Sequence, residues 1–244
     1  MKFHSLFLWL IISVVTISCN KFDDIEPAGN SLSFAFVFQV NGEDFEINTQ
    51  YDIDGTAVSF DVLNYYLSGL YIQQANGLEI NLQNEYLLAG PNGIVTLNGG
   101  VDVSNITKVK FFIGVDSVAN NQTEVDFLDR PSIDPLSLQN PAMHWNWNTG
   151  YRFLRIDGNV DTDGNGTVDT GVAYHLGTDP FLKNFDFNTN IQIVEGANVV
   201  SFVLDLGVLF EGVDMSTELE THTVDNLPLA QRLFDNLSRA MTVR

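Results

Sequence analysis

Residues 143–153 read MHWNWNTGYRF, and they bring a thioether (Met143), an imidazole (His144), two indoles (Trp145, Trp147) and a phenol (Tyr151) into one short stretch. The chain has only three Trp and four His, so this is a concentration of its scarcest side chains. A second imidazole, His175, follows in GVAYHLG. Imidazole and thioether donors together suit a soft or borderline metal, copper above all. The competing reading is packing, since a methionine is more often core than ligand and a strand histidine is more often simply hydrogen-bonded.

Between the two histidines lies Asp161-Thr-Asp163-Gly-Asn165-Gly166-Thr167-Val-Asp169. Oxygen side chains stand at the first, third, fifth and ninth positions, glycine at the sixth, and Thr167 can offer a carbonyl. A hard cation such as calcium takes six to eight oxygens, and this spacing wraps them around one point. Val172 stands where an EF-hand needs a bidentate glutamate, so the loop is not an EF-hand. The same residues also make an ordinary Asp/Gly/Asn turn. As a calcium loop it would pin the hairpin joining YRFLRIDGNV to GVAYHLG and bring His175 towards His144.

Those elements are strands. Phe34, Phe36, Phe38 and Val40 alternate with smaller or polar residues, and Asn41-Gly42 turns the chain into DFEIN. An Asn-Gly pair between alternating segments is a strong hairpin signal. Val58, Phe60 and Val62 lead into NYYLSGLYI, and Val109, Phe111, Ile113 and Val115 alternate with Lys108 and Lys110. Phe202, Leu204, Leu206, Val208 and Phe210 form one face of a long late strand. The fold class is therefore all-β, an antiparallel β-sandwich of Greek-key or Ig-like type. Two segments break the pattern. Residues 116–142 have no clear period and carry Pro131, Pro135 and Pro141, so they read as an irregular stretch shaping the site that follows. Near the C-terminus Asp225 or Asn226 can cap a helix, Pro228 suits its first turn, and Leu229, Leu233, Leu237 and Met241 recur at helical spacing.

The N-terminus reads as an address. Lys2, an apolar run over residues 7–15 and Thr16-Ile17-Ser18 before Cys19 describe a signal peptide over 1–18. The run is shorter than the roughly 20 apolar residues that span a bilayer. Cys19, the one cysteine, resembles the lipidated residue of a bacterial lipobox, with Thr16 where leucine is usual. Residues 19–30 form an acidic tether, similar to the export signal of Bacteroidetes surface lipoproteins, and 31–244 form one domain. The expected location is the outer membrane, exposed at the cell surface. The formal charge of −20 argues against nucleic acid, because phosphate binding needs Lys and Arg. A cation is the fitting small partner, beside the membrane reached through Cys19 and an outer-membrane transport or redox partner.

NYYLSGLYI (64–72), MHWNWNTGYRFLRIDG (143–158), AYHLG (173–177) and the C-terminal NLPLA and LFDNL occur in this order, and the chain resembles the MbnP-like family across 31–240. The family is named for a partner protein encoded beside methanobactin genes. The resemblance implies a secreted or lipid-anchored β-sandwich, a copper ion held by histidines and a kynurenine made from a tryptophan. Carried over, this marks His144, His175 and one of Trp145 or Trp147. Relatives often place a histidine in the first strand, where this chain has Phe38 or Gln39. No nucleophile elbow, zincin or dinucleotide motif is present, so no enzyme is expected. His222, in ETHTVD, reads as solvated loop. The leading expectation is a metal-binding lipoprotein, with structural calcium at 161–169 and copper near Met143, His144 and His175. The alternative is a calcium-dependent carbohydrate-binding or adhesion module using Trp145, Trp147 and Tyr151.

Overall fold

A computed structural model describes residues 30–91, 93–101, 104–146 and 149–244. The expected signal and tether, with Cys19, up to residue 29, and Trp147 lie outside the described residues. The first half of the chain forms β1 (Asn30–Val40), β2 (Glu43–Asp44), β3 (Gln50–Ile53), β4 (Thr56–Gln74), β5 (Glu79–Ala89), β6 (Gly93–Val101) and β7 (Ile106–Ile113). Then come short helices α1 (Ser117–Asn120) and α2 (Glu124–Leu128), followed by β8 (His144–Asn146), β9 (Gly150–Val160) and β10 (Thr170–Gly177). The last part holds β11 (Lys183–Ile191), β12 (Ala197–Asp205), α3 (Leu206–Leu209), β13 (Glu220–Thr221), α4 (Leu227–Ala240) and β14 (Met241–Val243).

Two sheets pack face to face. One runs β14-β12-β1-β2, with β6 also on β1; the other runs β11-β7-β4-β9-β10-β13, with β3, β5 and β8 at its margins. The alternation of β1 buries Phe34, Phe36 and Phe38 and leaves Ser33 and Ala35 on the outer face. Phe36 meets Tyr65 edge-on at 6.1 Å, and Phe111 meets Phe202 edge-on at 5.0 Å, so aromatic rings from both sheets fill the interior. Fully burying each such side chain contributes about 1.5–3 kcal/mol. Asn41 and Gly42 both have positive φ, 53° and 84°, as a two-residue hairpin turn with the twist of its strands requires.

The sandwich differs from a purely antiparallel one at two places. β1 pairs with β12 in parallel, and β10 pairs in parallel with β13. The expected long strand over 202–210 also stops early. The Asp205 carboxylate accepts hydrogen bonds from the backbone N–H groups of Gly207 and Val208 and starts α3 there. It accepts two more from Asn41 and Gly42, tying the first hairpin to this corner. The strand pattern was misleading because period-2 side chains ran on across a cap residue that ends the strand. The C-terminal helix lies where expected, with Asn226 capping α4, Pro228 in its first turn and Leu229, Leu233 and Leu237 buried, but the last residue of the expected stripe, Met241, falls beyond its end and begins β14. The irregular 116–142 stretch contains α1 and α2, each started by its own side-chain cap, Asp116 and Thr123. Among the described residues no helix is long and apolar enough to cross a membrane.

Candidate metal centre

The β9–β10 hairpin sets the register of the site, with His175 opposite Arg155 and Ala173 opposite Asp157. Period-2 alternation therefore places Arg155, Asp157 and His175 on the outer face, while Leu154, Ile156 and Tyr174 point into the core. Asp157 is the hub. One of its oxygens lies 2.6 Å from His175 Nε2, and the other accepts from Arg155 Nε at 2.7 Å. Burial pushes the Asp157 carboxyl up, but the hydrogen bonds and charges of His175 and Arg155 outweigh it and hold it below the usual carboxylate range. Burial pushes the His175 imidazole below its ordinary value, against the pull of Asp157. A neutral ring donating from Nε2 leaves a lone pair on Nδ1, and that nitrogen is buried without a hydrogen-bond partner.

A second imidazole stands beside this ring. His222 stands 4.9 Å from His175, ring centre to ring centre, at 85°. Its Nδ1 is 2.9 Å from Asp225. The segment carrying it is pinned by Thr223, whose hydroxyl donates to His175 O and accepts from Gly177 N–H. Thr223 has φ 74°, and Thr178, just beyond β10, has φ 71°. A β-branched residue with positive φ costs about 1–3 kcal/mol, and such strain concentrates at sites held by their surroundings. His222 lies in the loop just after β13 with its side chain partly exposed, as expected, while its neighbours Thr221 and Thr223 are completely buried and fix its place beside His175. Its proximity to His175 comes from the parallel β10–β13 pairing across more than 40 residues, which no local pattern announces.

His144 does not join this group. β8 pairs with β9 so that His144 lies opposite Tyr151. Its ring stacks on Phe127 at 4.0 Å and meets Tyr151 edge-on at 4.8 Å. Tyr151 is buried, with its hydroxyl donating to Leu136 O. Burial, aided by the Arg152 charge, pushes the His144 imidazole down to about 4. The expected convergence of His144 and His175 is corrected: the register of β9 on β10 shifts between Leu176 and Gly177, so alternation does not carry through from Arg155 to Tyr151, and the His144 ring lies against Phe127 and Tyr151 instead. Met143 is core, 1% exposed. Trp145 is on the His175 side. Arg152 lies 5.4 Å from its ring, and its six-membered ring lies against Gly177, where a Cβ would come 2.6 Å from Cη2. Both Arg152 and Arg155 donate to Ala142 O, which fixes the approach of β8 to this face. In the first strand, Phe38 packs on Phe45 and Tyr65, and Gln39 donates to Asp44, so neither offers an imidazole.

The 161–169 loop closes on itself. Asp161 accepts backbone hydrogen bonds from Asp163, Gly164 and Asn165 at one oxygen and from Gly166 at the other. Its carboxyl lies below the usual range, first because of the Gly166 hydrogen bond. Asp163 and Asn165 each accept a backbone N–H two residues on, and Asp169 accepts from Thr170. Thr167 offers its N–H to Asn165. Among the described residues no group of three or more His, Cys, Asp or Glu is arranged to hold a metal ion, in this loop or around His175. The sugar-stacking alternative loses Tyr151, which is buried.

No curated protein matches the chain. A solved structure of similar fold is MbnP from Methylosinus trichosporium, with a TM-score of 0.57 and 16% identity over 88% of this chain and 98% of that one. The match concerns the architecture of the two sheets. Residues 29–226 match the family model of MbnP, four-fifths of the sequence, and the chain belongs to the MbnP family.

Proposed function

We propose that this MbnP-family chain binds copper without turning over a substrate, and that His175 is the central ligand. One observation carries the reading: the buried, unpartnered Nδ1 of His175, on a ring whose other nitrogen is held by Asp157. A buried polar atom left unsatisfied costs about 1–3 kcal/mol. A carboxylate on the second ring nitrogen is the usual support of a ligating histidine, fixing tautomer and orientation. His222 would supply the second imidazole, and Trp145 would shield the site from water. A soft ion accepts such a sparse nitrogen set more readily than a hard one. With Gln39 or Phe38 in place of a first-strand histidine, affinity is expected below that of relatives with a third imidazole. Trp145 is the described indole nearest this site and the first place to look for a kynurenine.

Copper(I) uptake after chelator stripping, counted by elemental analysis, tests the assignment. Wild type is expected to hold about one copper per chain, His175→Ala none, and His144→Ala as much as wild type. Equal uptake by His175→Ala, or loss in His144→Ala, overturns it.

Two further expectations belong to the same proposal. Calcium in the 161–169 loop would have to draw Asp163 and Asp169 towards Asp161. A lipid on Cys19 would hold the domain at the outer membrane, supported by Ser18-Cys19 and the acidic residues after it. Labelled palmitate incorporated by wild type and not by Cys19→Ala is the expected result.

A further inference from the structure

β4 is irregular where it passes β5 and β7. Its register jumps between Ser68 and Leu70 against β5, and between Ser68 and Tyr71 against β7. Gly69 takes up the irregularity with φ 61°, and a Cβ there would come 2.9 Å from the Phe112 ring. On β5 the distortion is larger. Ser68 pairs with Tyr86 and Leu70 with Leu82, so residues 83–85 stand opposite Gly69 alone. Bulges of this kind re-aim side chains, and they recur beside binding sites. Gln83 and Asn84 sit within it and line the neighbouring cleft. Both residues are exposed, and neither side chain has a hydrogen-bond partner among the described residues.

Between this bulge and the α1–α2 segment lies a cleft of about 850 Å³. Gly69 and Phe112 line its strand side, Tyr86 stands on β5, and Asp116, Gln122 and Arg130 line the opposite side. Clefts of roughly 300–1,000 Å³ with a few convergent polar groups are the usual form of small-molecule sites. The charged groups here are already engaged. Asp116 accepts from the N–H groups of Val118 and Ala119 and from the Tyr86 hydroxyl. Arg130 spends its terminal nitrogens on Asp134 and Gln122. Asp126, also at the cleft, makes the lining acidic, which disfavours a phosphate, sulfate or uronate.

What remains uncommitted is neutral recognition. The two amides present paired donors and acceptors, and Arg130 Nε–H is buried with no partner. Tyr86 and Phe112 offer apolar ring surface. Adjacent hydroxyls on a ring with an apolar C–H face match both sets. We propose that this cleft binds a short neutral oligosaccharide. The site is separate from His175 and is lined by neither Trp145 nor Tyr151.

Isothermal titration of the purified chain with neutral trisaccharides (maltotriose, cellotriose, xylotriose, mannotriose, chitotriose) and with a uronate trimer tests this. At least one neutral trimer is expected to bind and the uronate is not. Gln83→Ala/Asn84→Ala is expected to lower that affinity about ten-fold. Its melting temperature should stay at the wild-type value, because both side chains are exposed and free. Absence of binding by every neutral trimer at about 10 mM overturns the proposal, since affinity weaker than that is no site. So does binding unchanged in the double variant, or binding abolished by Trp145→Ala instead.

Discussion

The packing of Trp145 on the end of β10 allows a controlled test with two glycines of the same strand. At Gly177 an added Cβ would come 2.5 Å from the Tyr151 carbonyl oxygen and 2.6 Å from Trp145 Cη2. One obstacle is backbone and the other is a ring held by Arg152, so neither gives way cheaply. At Gly171, six residues earlier in β10, an added Cβ meets nothing within 4 Å. Overpacking of a well-filled region costs about 1–3 kcal/mol, and a displaced backbone raises the figure, so Gly177→Ala is assigned about 3 kcal/mol. In a domain of this size 1 kcal/mol moves the melting temperature by about 2–4 °C, so a loss of roughly 6–12 °C is expected. Gly171→Ala should stay within about 2 °C of wild type, because a methyl group in open space adds only a small propensity gain. Circular dichroism melts of the three proteins decide it, and tryptophan emission should shift in Gly177→Ala alone. Equal melts for both variants would refute the packing of Trp145 against Gly177, and with it the shielding given to this indole.

Further outcomes can be measured with the same protein. Removing the Asp205 carboxylate (Asp205→Ala) takes the cap from α3 and the anchor from Asn41-Gly42, and urea unfolding should show a loss of about 2 kcal/mol. Both His144 and His175 are held below the ordinary histidine value, so the unfolded chain binds more protons than the folded one in that range. Their contribution is complete above about pH 6.5 and is lost as pH falls towards about 4, the value for His144. For His144, halved for its partial solvent access, this is about 1–2 kcal/mol, and His144→Phe should flatten that part of the pH–stability curve. A slope unchanged in His144→Phe would remove His144 as its source. Calcium added to chelator-treated protein is expected to raise the melting temperature through the 161–169 loop, and Asp163→Ala/Asp169→Ala to abolish the rise. A rise of equal size in that variant places the ion elsewhere.

The parts of this fold that were readable in the sequence are those set by local rules. Asn41-Gly42 demands a turn whatever surrounds it, and β1 shows its buried face because one side of the strand meets only core. The C-terminal helix is written in one cap, one proline and a leucine stripe. The expected His144–His175 pair failed because a histidine on a strand looks the same whichever face it occupies, and the face of β8 depends on pairing with β9. His222 was missed because its place beside His175 depends on a two-residue parallel strand formed late in the chain. Asp157 left a faint signal: a carboxylate two residues after Arg155 in a strand otherwise patterned for burial. The Gly69 bulge left none, since a glycine in NYYLSGLYI fits a strand until the registers of both neighbours are known.

The parallel pairing of β1 with β12 has a consequence for how the chain reaches this form. Ser31 pairs with Ala197, a separation of 166 residues (197 − 31). A chain that emerges N-terminus first must therefore hold a strand bearing Phe34, Phe36 and Phe38 without its central neighbour until about residue 205 is available. β6 can cover one edge of that strand earlier, over residues 30–36, but the other edge stays open. Non-local closure of this kind slows folding, and an exposed apolar edge invites pairing with another chain. Truncation anywhere before β12 should thus yield an aggregating product rather than a smaller folded domain, and a holding chaperone would have its greatest effect in the interval before β12 appears.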